Sequence, residues 1–358
     1  MLRIALIAHA HFPIREPFAG GIEAHVFHLA RALVARGHAV TLFAAPGTDL
    51  GCGDPALTIR ELPRTEAASL PWPLPGAVKE SHHRAFTGLM ADLAAAEDSF
   101  DVVHNHSLNP VPVRAATRLR APVLTTLHTP PFPMLEAAVG AVARTRLMFA
   151  AVSERSAASW AHVGIRRLTV VRNGIDVEGW PLGAGGDHLV WSGRIMPEKA
   201  PHLAIDAAQR AGRRLVLAGP VSDPDYFRLD IEPRLDERIT YAGHLDREEL
   251  AVLIGGAAAA LVTPVWDEPY GQVAAEAMAC GTPVVAFATG GLPELVDERC
   301  GCLVPPGDVD AMADAVADAA RLSRPLVRKV AVAEHGLAAM VDNYVTLYQA
   351  LVAERGSY

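Results

Sequence analysis

Residues 263–294 read TPVWDEPYGQVAAEAMACGTPVVAFATGGLPE, and this stretch decides the predicted fold. A buried strand over residues 258–262 leads into a polar loop, and a helix follows from about residue 272 to 279. A turn ends that helix, residues 284–287 form the next strand, and a glycine pair opens another helix. Each half is therefore a strand, a turn and a helix start, which is the arrangement that offers backbone N–H groups to an anion.

Two carboxylates in this stretch, Glu268 and Glu276, have seven residues between them. The first lies in the predicted loop and the second lies inside the predicted helix. We therefore expect them to contact one ligand at different depths, rather than to act as a close acid/base pair.

Length and composition indicate a globular protein of two domains. A chain of 358 residues predicts two domains, and a hydrophobic content of 51% is ample for a large core. The net charge of −8 argues against a nucleic-acid partner. The four cysteines form no CxxC and no zinc-site pattern, which indicates reduced thiols in a cytosolic protein.

No segment has the length of a membrane span. The longest apolar stretch, residues 251–263, is shorter than the roughly 20 residues that a bilayer needs. The first residues have only a short apolar run and no cleavage signal. We expect a cytoplasmic protein without a transmembrane segment, and peripheral membrane contact stays open.

The first half opens as a βαβ unit. Residues 3–8 and 38–44 read as strands, and residues 22–36 read as the helix between them. Gly20 and Gly21 lie at the first turn without forming GxGxxG, so the fingerprint of a nicotinamide or flavin site is absent. The pair either permits a tight turn or lets the backbone approach a phosphate or sugar.

Two histidines follow predicted strands of this half. His106 ends the strand over residues 101–106, and His128 follows the strand over residues 121–127. Ligands of an open parallel sheet bind beyond the carboxyl ends of its strands, although a structural or surface role remains an alternative for His128. His104 and His106 also form a possible metal pair, but no third ligand is evident.

The second half repeats the alternation of strands and helices. The linker 181–187, PLGAGGD, separates a first domain, residues 1–180, from a second domain, residues 187–337. The predicted fold is α/β, with two facing Rossmann-like domains and a cleft between them.

Arg194 and Lys199 follow the first strand of the second half and flank a helix start. Two cations and free amides at such a point suit a diphosphate. With Gly271 and the amides after Gly290-Gly291, both sides of a pyrophosphate could be held, so no metal is required. Asp223-Pro224-Asp225 spells DxD, but it follows a turn and is predicted to be a surface loop.

Taken together, these segments resemble the family 4 glycosyltransferases, which have the GT-B fold of two Rossmann-like domains. The resemblance covers nearly the whole chain. It is carried by Gly20-Gly21-Ile22-Glu23 (GGxE), residues 101–106 (DVVHxH), Asn173-Gly174-Ile175-Asp176 (the end of PNGID), residues 192–199 (GRxxxxK) and Glu268 to Glu276 (E-x7-E).

The resemblance implies transfer of a sugar from a nucleotide sugar with retention at the anomeric carbon, without metal or cofactor. Arg194 and Lys199 would then hold the diphosphate, and Glu276 would accept hydrogen bonds from the ribose hydroxyls. Glu268 would contact the donor sugar, and His106 would reach that sugar or the phosphate. These are the predicted catalytic and donor-binding groups.

The resemblance assigns weaker roles to further residues. Tyr270 and Gly271 would line the donor sugar site together with Gly20 and Gly21, the base would lie near Gly243, His244 and Leu245, and His128 and Glu23 would lie on the acceptor side. The helix over residues 338–358 would pack back on the first domain.

The donor is expected to be UDP-glucose first and GDP-mannose second. The acceptor, a small molecule, a glycan or a lipid-linked hydroxyl, would be set by the loops 45–76 and 128–137. Two alternatives stay open, a GT-B-fold nucleotide-sugar epimerase and a nucleotide-sugar-binding protein without turnover.

Overall fold

A computed structural model describes residues 1–63, 76–96 and 98–355 of the chain. The chain divides into two compact units. Unit 1 comprises Met1–Gly174 and Leu337–Tyr358, and unit 2 comprises Ile175–Gly336. The second unit is therefore one continuous segment, and the first is assembled from two.

Unit 1 is built on a seven-stranded sheet in which every described pairing is parallel. Its central strands are nearly continuous apolar runs because helices cover both faces. The spatial order is β3-β2-β1-β4-β5-β6-β7. The strands are β1 (Arg3–Ile7), β2 (Ala39–Ala44), β3 (Leu57–Glu61), β4 (Val102–Asn105), β5 (Val123–Leu127), β6 (Met148–Ala151) and β7 (Leu168–Val170).

The helices of unit 1 lie between these strands, apart from the last one. They are α1 (Gly21–Ala35), α2 (Gly76–Ala95), α3 (Pro110–Ala115), α4 (Pro133–Val142), α5 (Glu154–Ser159) and α13 (Leu337–Arg355). Ser153 caps α5, because its side chain accepts the N–H of Ser156 at 2.9 Å. No helix among the described residues is long and apolar enough to cross a membrane.

The prediction that residues 45–76 are irregular was wrong in its middle part, where β3 forms. Among the described strands it pairs only with β2 and lies at the edge of the sheet, so it is partly exposed. An edge strand lacks the continuous apolar run by which the other strands were recognised. Residues 64–75, the rest of this predicted acceptor loop, lie outside the described residues.

The helix α13 packs on α1 and β4 within unit 1. Tyr344 and Tyr348 of this helix are fully buried. The hydroxyl of Tyr348 is bonded to His104 Nδ1 at 2.6 Å, and that of Tyr344 is bonded to Thr126 Oγ1 at 3.1 Å. The helix therefore contributes both apolar surface and buried hydrogen bonds to unit 1.

Unit 2 is built on a six-stranded parallel sheet of order β10-β9-β8-β11-β12-β13. In both sheets the chain adds two strands on one side and then returns to the other side of the first strand. The predicted α/β class with two Rossmann-like halves is therefore confirmed. The strands are β8 (Leu189–Ser192), β9 (Leu215–Ala218), β10 (Ile239–Tyr241), β11 (Ala259–Val262), β12 (Val284–Phe287) and β13 (Gly301–Val304).

The segment 181–187, predicted as a linker, is part of unit 2. A Cβ on Gly183 would lie 2.1 Å from the carbonyl oxygen of Gly255, so the two backbones are in close contact. Arg324 donates to the carbonyls of Gly183, Ala257 and Gly255 at 3.0, 2.9 and 2.8 Å. The chain therefore passes from unit 1 to unit 2 after Gly174, before this segment.

The helices of unit 2 include α12, which was not predicted. Two arginines of this helix, Arg324 and Arg328, point inward and donate to backbone carbonyls. They take positions on the buried face that apolar residues would otherwise fill, so the apolar pattern that predicts a helix is short. The helices are α6 (Pro201–Arg210), α7 (Pro224–Tyr226), α8 (Arg247–Gly255), α9 (Gln272–Ala279), α10 (Leu292–Leu295), α11 (Val309–Ala319) and α12 (Arg324–His335).

All four cysteines are free thiols, as the absence of a CxxC pattern predicts. Cys280 and Cys300 are fully buried. Burial raises the pKa of Cys280 to about 12 and that of Cys300 to about 11, so both stay protonated at neutral pH.

Candidate active site

The candidate site of unit 2 lies where the strand order of its sheet reverses. β8 and β11 are neighbours, but the chain leaves β8 toward β9 and leaves β11 toward β12. The loops beyond such a pair diverge and leave a crevice at the carboxyl edge of the sheet. Arg194 and Lys199 lie in the loop after β8, and Glu268 lies in the loop after β11.

Lys199 and Glu268 form a close ion pair in this crevice. Lys199 Nζ lies 2.5 Å from Glu268 Oε2, and their side chains are 21% and 13% exposed. Trp266, which the sequence did not single out, donates its indole N–H to the same oxygen at 2.9 Å. Its ring lies 4.9 Å from Lys199 Nζ. The aromatic residue therefore orients both charged groups.

Arg194 is held loosely by comparison. Its guanidinium lies 3.6 Å from Glu198 Oε1, and both side chains are about one-third exposed, at 34% and 36%. An ion pair of this length and exposure contributes little stability. The guanidinium can therefore exchange Glu198 for an anionic ligand at small cost.

Thr263 fixes the backbone that carries Lys199. Its hydroxyl lies 3.0 Å from the carbonyl oxygens of both Lys199 and Ala200, and it accepts the indole N–H of Trp191 at 3.0 Å. Ala200 has a φ of +47°, a left-handed conformation that costs a non-glycine residue free energy. Thr263 holds this strained turn and thereby sets the position of the lysine.

The glycine pair 290–291 supports Glu268 instead of offering both of its amides to a ligand. Gly290 has a φ of +57°, and a Cβ there would lie 2.0 Å from the carbonyl oxygen of Glu268. Gly291 donates its N–H to that same carbonyl at 2.7 Å. The N–H of Gly291 is therefore already bonded within the protein, and the contact of a pyrophosphate with the amides after this glycine pair stays a prediction.

Glu276 lies in the middle of α9, and its side chain is half-buried. The atoms packed around its carboxyl group nevertheless desolvate it. Burial raises the pKa of Glu276 to about 8, and a hydrogen bond with Gln272 opposes the shift only in part. At neutral pH the carboxyl group is therefore largely protonated in the ligand-free protein.

Tyr270 does not present its hydroxyl to a ligand. The side chain is 4% exposed, and its hydroxyl lies 3.1 Å from Nδ1 of His335 at the end of α12. The ring of Tyr270 is therefore turned into unit 2, and its part in lining the donor sugar site stays a prediction. Gly271 caps α9 with a φ of +102°, and a Cβ there would lie 2.5 Å from Leu292 Cδ2.

The residues predicted to lie near the base follow β10. His244 is exposed and Leu245 is half-buried. The carbonyl of Gly243 accepts the N–H of Gly219 at 2.8 Å, which ties the loop after β10 to the loop after β9. This loop pair lies at the carboxyl edge of the same sheet as Arg194 and Glu268.

The DxD segment has the structural role that was predicted for it. Asp223 accepts the N–H of Tyr226 at 2.9 Å and so caps a short helical turn. The Asp225 side chain is 81% exposed and pairs with Arg228. The two carboxylates therefore do not form a paired metal site.

Unit 1 places its own candidate residues at the carboxyl edge of its sheet. Gly20 caps α1, and Gly21 is its exposed first residue. Glu23, one turn later, is 3% exposed and bonded to His9 Nε2. Because His9 Nδ1 accepts the N–H of His11 at 3.1 Å, His9 donates from Nε2 to the carboxylate. Glu23 is thus satisfied by a partner that the sequence did not reveal.

His106 and His128 are brought together, with His106 Nδ1 lying 2.9 Å from His128 Nε2. Burial lowers the pKa of both well below the usual value, so both are neutral. The alternative of a His104–His106 metal pair is wrong. His104 uses both ring nitrogens in bonds to Tyr348 and Thr126, at 2.6 and 2.7 Å.

Comparison with known proteins identifies the class. A sequence model described as Glycosyltransferase Family 4 matches residues 19–178, and one described as Glycosyl transferases group 1 matches residues 186–321. The chain is 30% identical to a glycogen synthase of Mycobacterium tuberculosis, over 88% of this chain and 85% of that one. It is 31% identical to a D-inositol 3-phosphate glycosyltransferase of Mycolicibacterium paratuberculosis, over 90% and 83%.

Among solved structures, Anabaena HepE in complex with UDP-glucose is similar with a TM-score of 0.77. The alignment covers 98% of this chain and all of HepE at 19% identity, which supports the fold alone. Fold and relatives together define a GT-B-type glycosyltransferase that uses a nucleotide-sugar donor. The chain belongs to glycosyltransferase family 4.

Proposed function

We propose that this enzyme transfers glucose from UDP-glucose to a hydroxyl acceptor, with retention at the anomeric carbon and without a metal at the donor. The observation that carries the proposal is the Lys199–Glu268 pair with Arg194 in the adjacent crevice loop. Fixed cations at the carboxyl edge of a parallel sheet suit a diphosphate. The UDP-glucose bound by HepE favours this donor over GDP-mannose.

The proposed roles follow from the charges of the site. Arg194 and Lys199 contact the diphosphate, and Lys199 exchanges Glu268 for a phosphate oxygen when the donor binds. Glu268, oriented by Trp266, is then available to the hydroxyls of the donor sugar. His106, a neutral imidazole, contacts the sugar or the phosphate by hydrogen bonds rather than by charge.

The proposed reaction is a front-face displacement. The bond between the anomeric carbon and the departing phosphate oxygen breaks while the acceptor oxygen bonds to the same face of that carbon. The acceptor proton passes to the departing phosphate oxygen. Negative charge therefore grows on the diphosphate in the transition state, where Arg194 and Lys199 stabilise it more than in the ground state.

The donor class is tested by thermal shift with UDP, GDP, ADP and TDP, each with and without EDTA. We expect selective stabilisation by UDP that EDTA does not change and that Arg194→Ala loses. The matched control is Arg210→Ala, since Arg210 lies on α6 of the same unit and is 49% exposed. Stabilisation by another base would change the donor, and loss of the shift in EDTA would overturn the metal-free site.

Transfer is tested separately with UDP-glucose and a panel of hydroxyl acceptors. Retention predicts that the new glycosidic bond has the anomeric configuration of the donor, read by NMR of the product. Isomerisation of the donor without any acceptor would instead support the epimerase alternative. Nucleotide binding with neither transfer nor slow donor hydrolysis would support the non-catalytic alternative.

Donor binding is expected to release a proton from Glu276. The carboxyl group has a pKa of about 8 without ligand, and bonds from two ribose hydroxyls favour the ionised form, whose two oxygens act only as acceptors. Affinity for UDP should therefore fall as the pH drops below 8, by up to about tenfold per pH unit. Calorimetry in two buffers of different ionisation enthalpy measures the released proton, and its absence would contradict the ribose contact.

The same shift sets the pH dependence of ligand-free stability. Because the pKa is raised from 4.5 in the unfolded chain, the folded state binds this proton more tightly. The stabilisation that protonated Glu276 adds to the free energy of unfolding is full below about pH 4.5 and is lost as the pH rises toward 8. Glu276→Gln should flatten this part of the profile.

A further inference from the structure

Three histidines from separate elements of unit 1 converge at the carboxyl edge of its sheet. His25 lies on α1, His106 follows β4 and His128 follows β5. One ring nitrogen from each lies within 4.8 Å of the other two. The three residues are 2%, 0% and 6% exposed, in that order. The bond between His106 and His128 uses one nitrogen of each ring, which leaves the second nitrogen of both.

The nitrogen atoms of this cluster are incompletely satisfied. Within the described part of the chain, both ring nitrogens of His25 and Nε2 of His106 are buried without a hydrogen-bond partner. Buried polar atoms normally find partners, because leaving them unpaired costs their hydration. Burial also lowers the pKa of His25 to about 3, so its ring is neutral and carries a lone pair.

We propose that His25, His106 and His128 form a binding site for a divalent transition-metal ion of the zinc type. Neutral imidazoles are the ligands that such ions prefer, and the absence of carboxylates from the trio disfavours Mg²⁺ and Ca²⁺. Tetrahedral coordination at 2.0–2.1 Å places ligand nitrogens about 3.3 Å apart. The ring nitrogens of the trio lie within 4.8 Å of one another, so coordination needs a rearrangement of the imidazoles rather than of the backbone elements.

The residues around the trio fit this role. The Asn173 side chain interacts with the His25 ring and opposes part of the lowering of its pKa, but its buried Oδ1 makes no hydrogen bond of normal geometry in this part of the structure. A metal-bound histidine commonly donates its other N–H to such an oxygen, which fixes the ring. The His104 ring lies 3.9 Å from that of His106 but has both nitrogens bonded, so it packs on the site without adding a ligand.

Occupation of this site has a consequence for activity that rests on the proposed function. A metal on His106 removes that imidazole from the donor contact, so the ion should inhibit transfer rather than support it. The metal site itself does not depend on that assignment, because binding is read without substrate. Failure of transfer and failure of metal binding are therefore separate results.

The test is a titration of the metal-stripped full-length protein with Co²⁺, followed by displacement with Zn²⁺. We expect one Co²⁺ per chain with the visible absorption of four-coordinate cobalt. His25→Ala should weaken the binding by roughly 100-fold. The matched control is His162→Ala, because His162 is 55% exposed and bonded to Glu136, away from the trio. The His162→Ala variant should bind Co²⁺ with the affinity of the wild type.

A second measurement covers the case in which His25→Ala does not fold. Imidazole ¹⁵N NMR of the wild-type protein with and without Zn²⁺ should show coordination shifts at three histidines and not at His104. Equal metal affinity in wild type and a folded His25→Ala would overturn the site. So would wild-type protein that binds no stoichiometric metal, or zinc shifts confined to other histidines of the chain.

Discussion

Lys199→Ala should lower kcat/KM by roughly 30- to 1,000-fold, the equivalent of about 2–4 kcal/mol for one preorganised electrostatic contact. The lysine lies 2.5 Å from Glu268 and near the aromatic face of Trp266, so its ammonium is oriented before the donor arrives. The charge that it meets grows as the diphosphate departs. The loss should therefore fall mainly on kcat, measured by steady-state kinetics with saturating acceptor.

Two controls separate this effect from a general loss of charge or structure. Arg210→Ala removes a cation from the same unit, where Arg210 pairs with Asp310 at 3.2 Å, and should leave kcat/KM unchanged. Lys199→Ala also leaves Glu268 without its cation. The double variant Lys199→Ala/Glu268→Gln removes that unpaired charge, and its kcat/KM should be no higher than that of Lys199→Ala. If Lys199→Ala had the kcat/KM of the wild type, the lysine would not stabilise the departing diphosphate.

Gly290→Ala should lower the free energy of unfolding of unit 2 by about 3–5 kcal/mol, a large effect for one methyl group. The added Cβ would lie 2.0 Å from the carbonyl oxygen of Glu268 and 2.4 Å from its nitrogen. These are backbone atoms, which cannot swing away as a flexible side chain does. The residue also has a φ of +57°, which alanine adopts only with strain. Chemical denaturation followed by circular dichroism measures the loss.

The matched control for this glycine is Gly307→Ala. Gly307 has a similarly left-handed φ of +77°, but no described atom lies within 4 Å of the added Cβ. Gly307→Ala should lower the free energy of unfolding by about 1 kcal/mol, which is the cost of the left-handed backbone conformation alone. Equal destabilisation of the two variants would mean that the contact with Glu268 contributes nothing. In Gly290→Ala, UDP binding should weaken as well, because the backbone of Glu268 must move.

The sequence predicted the parts of the fold that depend on local pattern. The bounds of α9 and β12 agree with the prediction residue for residue, because glycine turns mark the ends of these short segments. The edge strand β3 was missed because it is only partly buried. Inward-facing arginines interrupt the apolar stripe of α12, so that helix was missed too.

The candidate site was predictable only where its chemistry lies in short motifs. Arg194, Lys199 and Glu268 follow strand ends, and parallel strands bring such positions to one edge. The contacts that orient them depend on pairings between distant segments. The bond of Thr263 to the Lys199 carbonyl and the approach of His25 to His106 join elements that share no sequence spacing. Hydrophobic periodicity carries no information about such partners.

The return of α13 to unit 1 has a consequence for the order of events during synthesis. Unit 2 is continuous from Ile175 to Gly336, so its whole sequence is synthesised before residues 337–355. Until then the nascent first unit has no tyrosine hydroxyl to bond His104 and nothing from α13 over α1. The first unit therefore cannot be completed until residues 337–355 have been made, after the whole of unit 2. The usual vectorial order, in which one domain is complete before the next is made, therefore does not hold for unit 1.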